Sequence, residues 1–144
     1  MEIERKYLIK SIPENLDEYK HTELLQGYLS VKPVMRIRRK NDKAYFTYKG
    51  EGLLAREEIE KEISLEAFEH LLPKVDGHTI EKTRYIIPYG KYTIELDVFH
   101  GHKEGLVMAE VEFGSIAESE SFEKPEWFGE EVTENKEYHN CNMI

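Results

Sequence analysis

Charged and apolar residues alternate with a period of two over most of the sequence. This pattern indicates β-strands, because neighbouring side chains of a strand point to opposite faces. Turn-forming residues such as Pro33, Gly90 and Gly101 separate the runs. The pattern predicts eight strands, near residues 2–10, 23–32, 34–40, 44–50, 54–64, 79–88, 91–99 and 106–113. Eight strands of this length are sufficient to close a β-barrel.

Few segments favour helices, and each has a local signal. Ser64 can cap a short helix that Pro73 would end. A second short helix is predicted from about residue 115 to 122, and a third from about 134 to 140, after Thr133. The chain is therefore predicted to be mainly β, with a few helices outside the sheet.

The polar faces of the predicted strands consist almost entirely of Glu, Asp, Arg and Lys. In the first strand, Glu2, Glu4 and Lys6 share one face. A solvent-exposed face of an ordinary antiparallel sheet would be richer in Thr, Ser and Gln, which suit strands better. We therefore favour a closed barrel with its charged face inward and its apolar face under the helices. A sheet with a solvated charged face is the alternative.

Composition limits the chain to a single domain, residues 1–144, because 144 residues with 40% hydrophobic content can bury one core. No apolar run is long enough to cross a bilayer, and the opening residues are charged, so we expect a cytoplasmic protein that binds no membrane. The net charge of -9 argues against binding to duplex nucleic acid. The single cysteine and the six histidines show no metal-ligand spacing.

A lumen lined by charges of both signs suits a polyanion that is bound together with metal ions. The oxygens of a triphosphate need several Lys and Arg donors, whereas Mg²⁺ or Mn²⁺ needs carboxylate oxygens. The inward faces hold more carboxylates than bases. Without divalent ions, such a lumen would repel both itself and its substrate.

The first strand contains a Glu-x-Glu-x-Lys motif, and further motifs follow it over nearly the whole chain. They are Gln26-Gly27-Tyr28-Leu29, Arg36-Ile37-Arg38, Thr47-Tyr48-Lys49, Arg56 ahead of Glu58-Ile59-Glu60, Glu81-Lys82-Thr83-Arg84-Tyr85, Glu95-Leu96-Asp97-Val98-Phe99, Glu110-Val111-Glu112-Phe113 and Trp127-Phe128-Gly129-Glu130-Glu131-Val132-Thr133. In their order and spacing these motifs resemble those of the CYTH family, the triphosphate tunnel metalloenzymes. The resemblance implies a closed eight-stranded antiparallel barrel that forms a charged tunnel.

The resemblance also implies residue roles. The phosphate chain would be held by Lys6, Arg36, Arg38, Lys49, Lys82 and Arg84. Metal, or its bound water, would be held by Glu2, Glu4, Glu58, Glu60, Asp97, Glu110 and Glu112. Two ions, Mg²⁺ or Mn²⁺, are expected, one of which orients a water for attack on the terminal phosphorus. Glu2, Glu4 and Lys6 would form the catalytic end of the tunnel.

Other residues have weaker signals. Glu62 and Glu95 share the inward parity, but the family pattern is looser there, and each is either a ligand or a residue of the tunnel rim. Tyr28 either reaches the substrate or packs in the core, and we favour the tunnel. Trp127, Tyr138 and the last predicted helix are expected to be structural.

The sequence looks most like the small bacterial members of the family, many of which hydrolyse inorganic tripolyphosphate. It thus predicts a metal-dependent hydrolase of triphosphates, with tripolyphosphate as the preferred substrate. The alternatives are a nucleoside or thiamine triphosphatase, an adenylate cyclase of the same fold, and a non-catalytic polyphosphate-binding module. Nothing in the sequence indicates the oligomeric state.

Overall fold

The computed structural model describes residues 3–50 and 57–144. Glu2, a predicted catalytic and metal-binding residue, and Arg56 of the CYTH motifs lie outside the described residues. The strands are β1 (Ile3–Ile9), β2 (Lys20–Val31), β3 (Val34–Lys40), β4 (Lys43–Lys49), β5 (Glu58–Ile63), β6 (Asp76–Tyr89), β7 (Tyr92–His100), β8 (Val107–Phe113) and β9 (Phe128–Glu131). The helices are α1 (Leu65–Leu71) and α2 (Ile116–Ser121), with short 3-10 helices at Leu16–Glu18, Leu72–Lys74, Gly101–Lys103, Lys136–Tyr138 and Asn140–Asn142.

The strands form one antiparallel sheet in the order β5-β4-β3-β2-β6-β7-β8-β1-β9. The predicted class, a mainly antiparallel fold with few helices, is confirmed. Two details differ from the prediction. The sheet has nine strands instead of eight, and hydrogen bonds between described residues do not join β5 to β9 into a closed ring. The extra strand, β9, is only four residues long, too short for alternation to reveal it.

The first two predicted helices are confirmed, and each begins at a serine cap. The side chains of Ser64 and Ser115 each accept a backbone hydrogen bond from the third residue along the chain. The predicted helix at 134–140 is wrong, because two 3-10 turns occupy that segment. The segment is rich in Asn and His, which are weaker helix formers than Ala or Leu. No helix among the described residues is long and apolar enough to cross a membrane.

The apolar face of the sheet is covered by the helices and by aromatic side chains near the C-terminus. Phe68 of α1 is fully buried against Ile37 of β3 and Ala44 of β4. Phe122 and Phe128 pack over the apolar residues of β1, β7 and β8. These contacts bury apolar side chains in both halves of the sheet.

The last 13 residues, 132–144, cover one end of the opposite face, and we call this segment the terminal cap. Val132 and Met143 of the cap are buried in an apolar cluster with Tyr28, Phe99 and Met108. Those three residues belong to β2, β7 and β8, so the cap spans several strands. The expectation that the C-terminal segment is structural agrees with this packing.

We expect Phe68→Ala to lower the free energy of unfolding by about 3 to 5 kcal/mol, the usual cost of removing a buried phenyl ring. Urea denaturation followed by circular dichroism would measure the change. Leu65→Ala in the same helix is the control, because Leu65 is 36% exposed, and its effect should stay below about 1 kcal/mol. Equal losses in the two variants would contradict the packing of α1 described above.

Candidate functional site

Cross-strand register places the charged side chains on one face of the sheet, which we call the charged face. Residues directly opposite each other in an antiparallel pair share a face. β1 and β8 pair Glu4 with Glu112 and Lys6 with Glu110. The face continues through the pairs Glu95–Glu110, Arg84–Asp97, Leu24–Lys82, Gln26–Arg38, Tyr28–Arg36, Arg36–Thr47, Thr47–Glu60 and Lys49–Glu58. Every predicted site residue that the structure describes therefore lies on the charged face.

Asp97 of β7 lies at the centre of the charged face and is bound by two bases of β6. Its carboxylate is 2.8 Å from the Nζ of Lys82, which is only 1% exposed. The Nε and Nη2 of Arg84 donate to its two oxygens at 2.8 and 3.0 Å. Burial alone would raise the pKa of Asp97, but Lys82 and Arg84 outweigh burial and hold its pKa below the ordinary value. Arg84 also forms an ion pair with Glu95 at 3.1 Å.

Arg36 and Arg38 of β3 are two bases of the charged face that have no acidic partner among the described residues. Arg38 donates through Nε to the side-chain oxygen of Gln26 at 2.7 Å, and Arg36 donates through Nη2 to Thr47 at 3.3 Å. Neither guanidinium forms an ion pair with a carboxylate among the described residues, and the buried Nε of Arg36 has no hydrogen-bond partner there. Burial, together with the charges of Arg36 and Arg84, lowers the pKa of Arg38 to about 10. This part of the face is thus short of negative charge.

Glu110 of β8 and Glu4 of β1 are neighbours, and this part of the charged face has an excess of negative charge. The pKa of Glu110 is raised to about 7. Burial is the largest cause, followed by a hydrogen bond to the neighbouring Glu4 and by the charge of Glu4. Lys6, directly opposite Glu110, acts against it. Two carboxyl groups in contact at neutral pH must share a proton or bind a cation.

These carboxyl groups fit a divalent cation, because Glu110 is buried beside Glu4 with its pKa raised to about 7, and Glu112 faces Glu4 across the strands. Carboxylate oxygens are the ligands that Mg²⁺ and Mn²⁺ prefer. In the described part of the chain, no three acidic, His or Cys side chains already converge in a finished metal-binding geometry. Glu2, the remaining predicted ligand on β1, is not among the described residues.

Glu58 and Glu60, two further predicted metal ligands, lie on β5 at the opposite end of the strand order. They are exposed, and they pair across the strands with Lys49 and Thr47. The ion pairs of residues 3–50 and 57–144 do not involve them. They share the charged face with the acids of β1 and β8, but the structure shows no bond that brings the two groups together.

The terminal cap brings residues to the site that sequence reasoning missed. Tyr138 and Asn140 line a narrow cavity together with Lys6, and its wall also includes Lys82, Asp97, Phe99, Met108, Ala109 and Glu110. The backbone of Lys6 holds the cap, because its N–H donates to the side chain of Thr133 and its C=O accepts from the N–H of Val132. No local pattern could have placed the cap here, because these contacts join the two ends of the chain.

A larger, open cavity of about 590 Å³ lies at the end of the charged face away from the cap. Its wall includes Glu95 and Glu112 of the charged face, together with Lys91 and Glu118 near the rim. Solvent therefore has access to the acidic end of the site.

Sequence reasoning also missed Gln26, a buried amide on the same face as the bases. The parity of Gln26 within its strand could have placed it on this face.

The fold and the charged face define a class of protein in which an antiparallel sheet carries basic and acidic side chains side by side on one face. The CYTH domain matches residues 1–142, and the chain belongs to this family. An inorganic triphosphatase of Nitrosomonas europaea is 43% identical over 96% of this chain and 93% of that protein. One of Acetivibrio thermocellus is 38% identical over 99% and 92%. A crystal structure of an inorganic triphosphatase matches with a TM-score of 0.83 and 39% identity, over 99% of this chain and 93% of that chain.

Membership of the CYTH family, the triphosphate tunnel metalloenzymes, implies dependence on a divalent metal. The carboxyl groups of Glu4 and Glu110 agree with this requirement, because their repulsion is relieved when a cation binds.

We expect the metal-free protein to lose stability as the pH rises from about 5 to about 7. The pKa of Glu110 rises from 4.5 to about 7 on folding, so the folded state holds this proton over a range in which the unfolded state has lost it. Thermal unfolding in EDTA at several pH values would measure the loss. Glu110→Gln should flatten the curve over this range, because the amide does not titrate.

Glu66→Gln on α1 is the control for this experiment, since Glu66 is exposed and lies off the charged face. Its curve should run parallel to that of the wild type. Parallel curves for Glu110→Gln and the wild type would show that Glu110 titrates normally.

Proposed function

We propose that this protein hydrolyses inorganic triphosphate with the help of Mg²⁺ or Mn²⁺ bound on the charged face. The observation that carries the proposal is that one face of the sheet holds both half-buried bases without an acidic partner among the described residues, Arg36 and Arg38, and a repelling acid pair, Glu4 and Glu110. A polyphosphate with its metal supplies the anion that the bases lack and the cation that the acids lack. The inorganic triphosphatases at 38–43% identity support this choice of substrate.

The bases would bind the phosphate chain. Arg36 and Arg38 have terminal guanidinium nitrogens available for phosphate oxygens, while Lys82 and Arg84 are held in place by Asp97. Arginine is suited to this task because its planar fork can bind two phosphate oxygens at once. Lys6 and Lys49, on the same face, are the further proposed phosphate ligands.

The acids of β1 and β8 would hold the metal. Glu4, Glu110 and Glu112 are the proposed ligands, and Glu2, Glu58, Glu60 and Asp97 remain predictions from the family resemblance. When bound, the ion neutralises phosphate oxygens and lowers the pKa of a coordinated water. Glu4 would orient the attacking water with its carboxylate, and Lys6 would hold the phosphate group under attack. The two ions and the choice between Mg²⁺ and Mn²⁺ are likewise predictions.

A substrate panel tests the function. With Mg²⁺ or Mn²⁺, the purified protein should release phosphate from tripolyphosphate faster than from pyrophosphate, ATP or thiamine triphosphate, and EDTA should stop the release. Glu4→Gln should keep its fold and lose at least about 100-fold in kcat, because a neutral amide binds metal poorly. Glu66→Gln should retain wild-type activity. Faster turnover of ATP or thiamine triphosphate, or formation of cyclic nucleotide, would favour one of the alternatives.

Arg38→Ala should weaken the binding of tripolyphosphate by about 1.5 to 3 kcal/mol, the usual value of a hydrogen bond to a charged group. Titration calorimetry on Glu4→Gln as background would measure affinity without turnover. The matched control is Arg39→Ala, because Arg39 is the next residue on the same strand but points to the other face, where it is 3.6 Å from the exposed Glu69. Equal affinity losses in the two variants would refute a specific role for Arg38.

A further inference from the structure

Gln26 of β2 is a polar side chain in a position that would suit an apolar one. It is 0% exposed and lies between Arg38 of β3 and Ile80 of β6 in the cross-strand register. Its amide nitrogen is buried and has no hydrogen-bond partner among the described residues. An unpaired buried donor destabilises the fold, so stability alone would favour Met or Leu at this position.

In the described part of the chain, the side chain of Gln26 forms a hydrogen bond to Arg38, and the geometry of this bond is specific. The side-chain oxygen accepts from the Nε of Arg38 at 2.7 Å. This bond fixes the plane of the guanidinium and leaves both terminal nitrogens free of Gln26. The arginine is therefore oriented by its inner nitrogen, while its outer fork is available for an anion.

The contrast with Arg84 shows why a neutral acceptor matters. Arg84 is bound by two carboxylates, Asp97 and Glu95, which compensate its positive charge. Arg38 is instead oriented by an uncharged amide oxygen, 2.7 Å from its Nε. Among the natural side chains of this length, only Gln offers a neutral carbonyl oxygen, and the unpaired NH₂ group necessarily accompanies it.

We propose that Gln26 is a positioning residue that orients Arg38 towards the phosphate chain while leaving its positive charge uncompensated for the substrate. This inference rests on the proposed function, because it assumes that Arg38 binds phosphate. Gln26 acts through Arg38 and does not itself contact the substrate.

Two substitutions separate orientation from charge. Gln26→Glu keeps the length and the acceptor but adds a negative charge beside Arg38, and it should raise the KM for tripolyphosphate about tenfold, with kcat changed less than about threefold. Gln26→Met keeps the length but removes the acceptor, and it should raise KM about threefold to tenfold. A purely structural role predicts an unchanged KM for Gln26→Glu, with effects limited to the melting temperature.

A double-mutant cycle tests whether Gln26 acts through Arg38. In the Arg38→Ala background, Gln26→Met should change the Kd of tripolyphosphate less than about twofold, because the residue that it positions is absent. The same additional loss in both backgrounds would overturn the proposal, and so would an unchanged KM in both single variants. Absence of tripolyphosphate binding by the wild-type protein would instead overturn the proposed function itself, and with it this inference.

Discussion

The burial of Asp97 between Lys82 and Arg84 is the interaction on which the charged face depends. A carboxylate removed from water is stable in a folded protein only when ionic partners replace its hydration. Two bases of the adjacent strand do so here, each within 2.8 Å of a carboxylate oxygen. These bonds hold β6 against β7 on the charged face, and they offset positive and negative charge at the centre of that face. The charges on both sides of this centre are left without such partners.

The remaining charges separate into two groups with opposite requirements. Arg36 and Arg38 are half-buried without acidic partners among the described residues, so they favour an anion. Glu110 is buried beside Glu4 and its pKa is raised to about 7, so this pair favours a cation. Because Asp97 and Glu95 compensate the charges of Lys82 and Arg84, which lie between, the two groups do not neutralise each other. A metal-bound triphosphate is a ligand that meets both requirements at once.

The fold keeps this arrangement by covering the two faces of the sheet differently. On the apolar face, α1 and the aromatic side chains of Phe122 and Phe128 replace solvent, which is the ordinary source of stability for a sheet. On the charged face, the end near Phe99 is apolar, and the terminal cap covers it. The opposite end keeps an open cavity beside Glu95 and Glu112. The site is therefore closed by packing at one end and accessible at the other.

The sequence by itself determined which side chains share a face, because period-two alternation is a local property of a strand. The inward parity of Glu4, Arg38 and Glu110 could be predicted in this way, and so could helix α1 from its cap Ser64 and the approximate range of α2. The tertiary structure alone decided which charges pair. Asp97 was expected to bind metal, yet it lies in ion pairs with two bases, and the contact between Gln26 and Arg38 depends on the register of β2 against β3. Strand β9 and the terminal cap were also beyond prediction. Both are held by bonds to β1 at the other end of the chain, and such distant contacts leave no local periodic pattern.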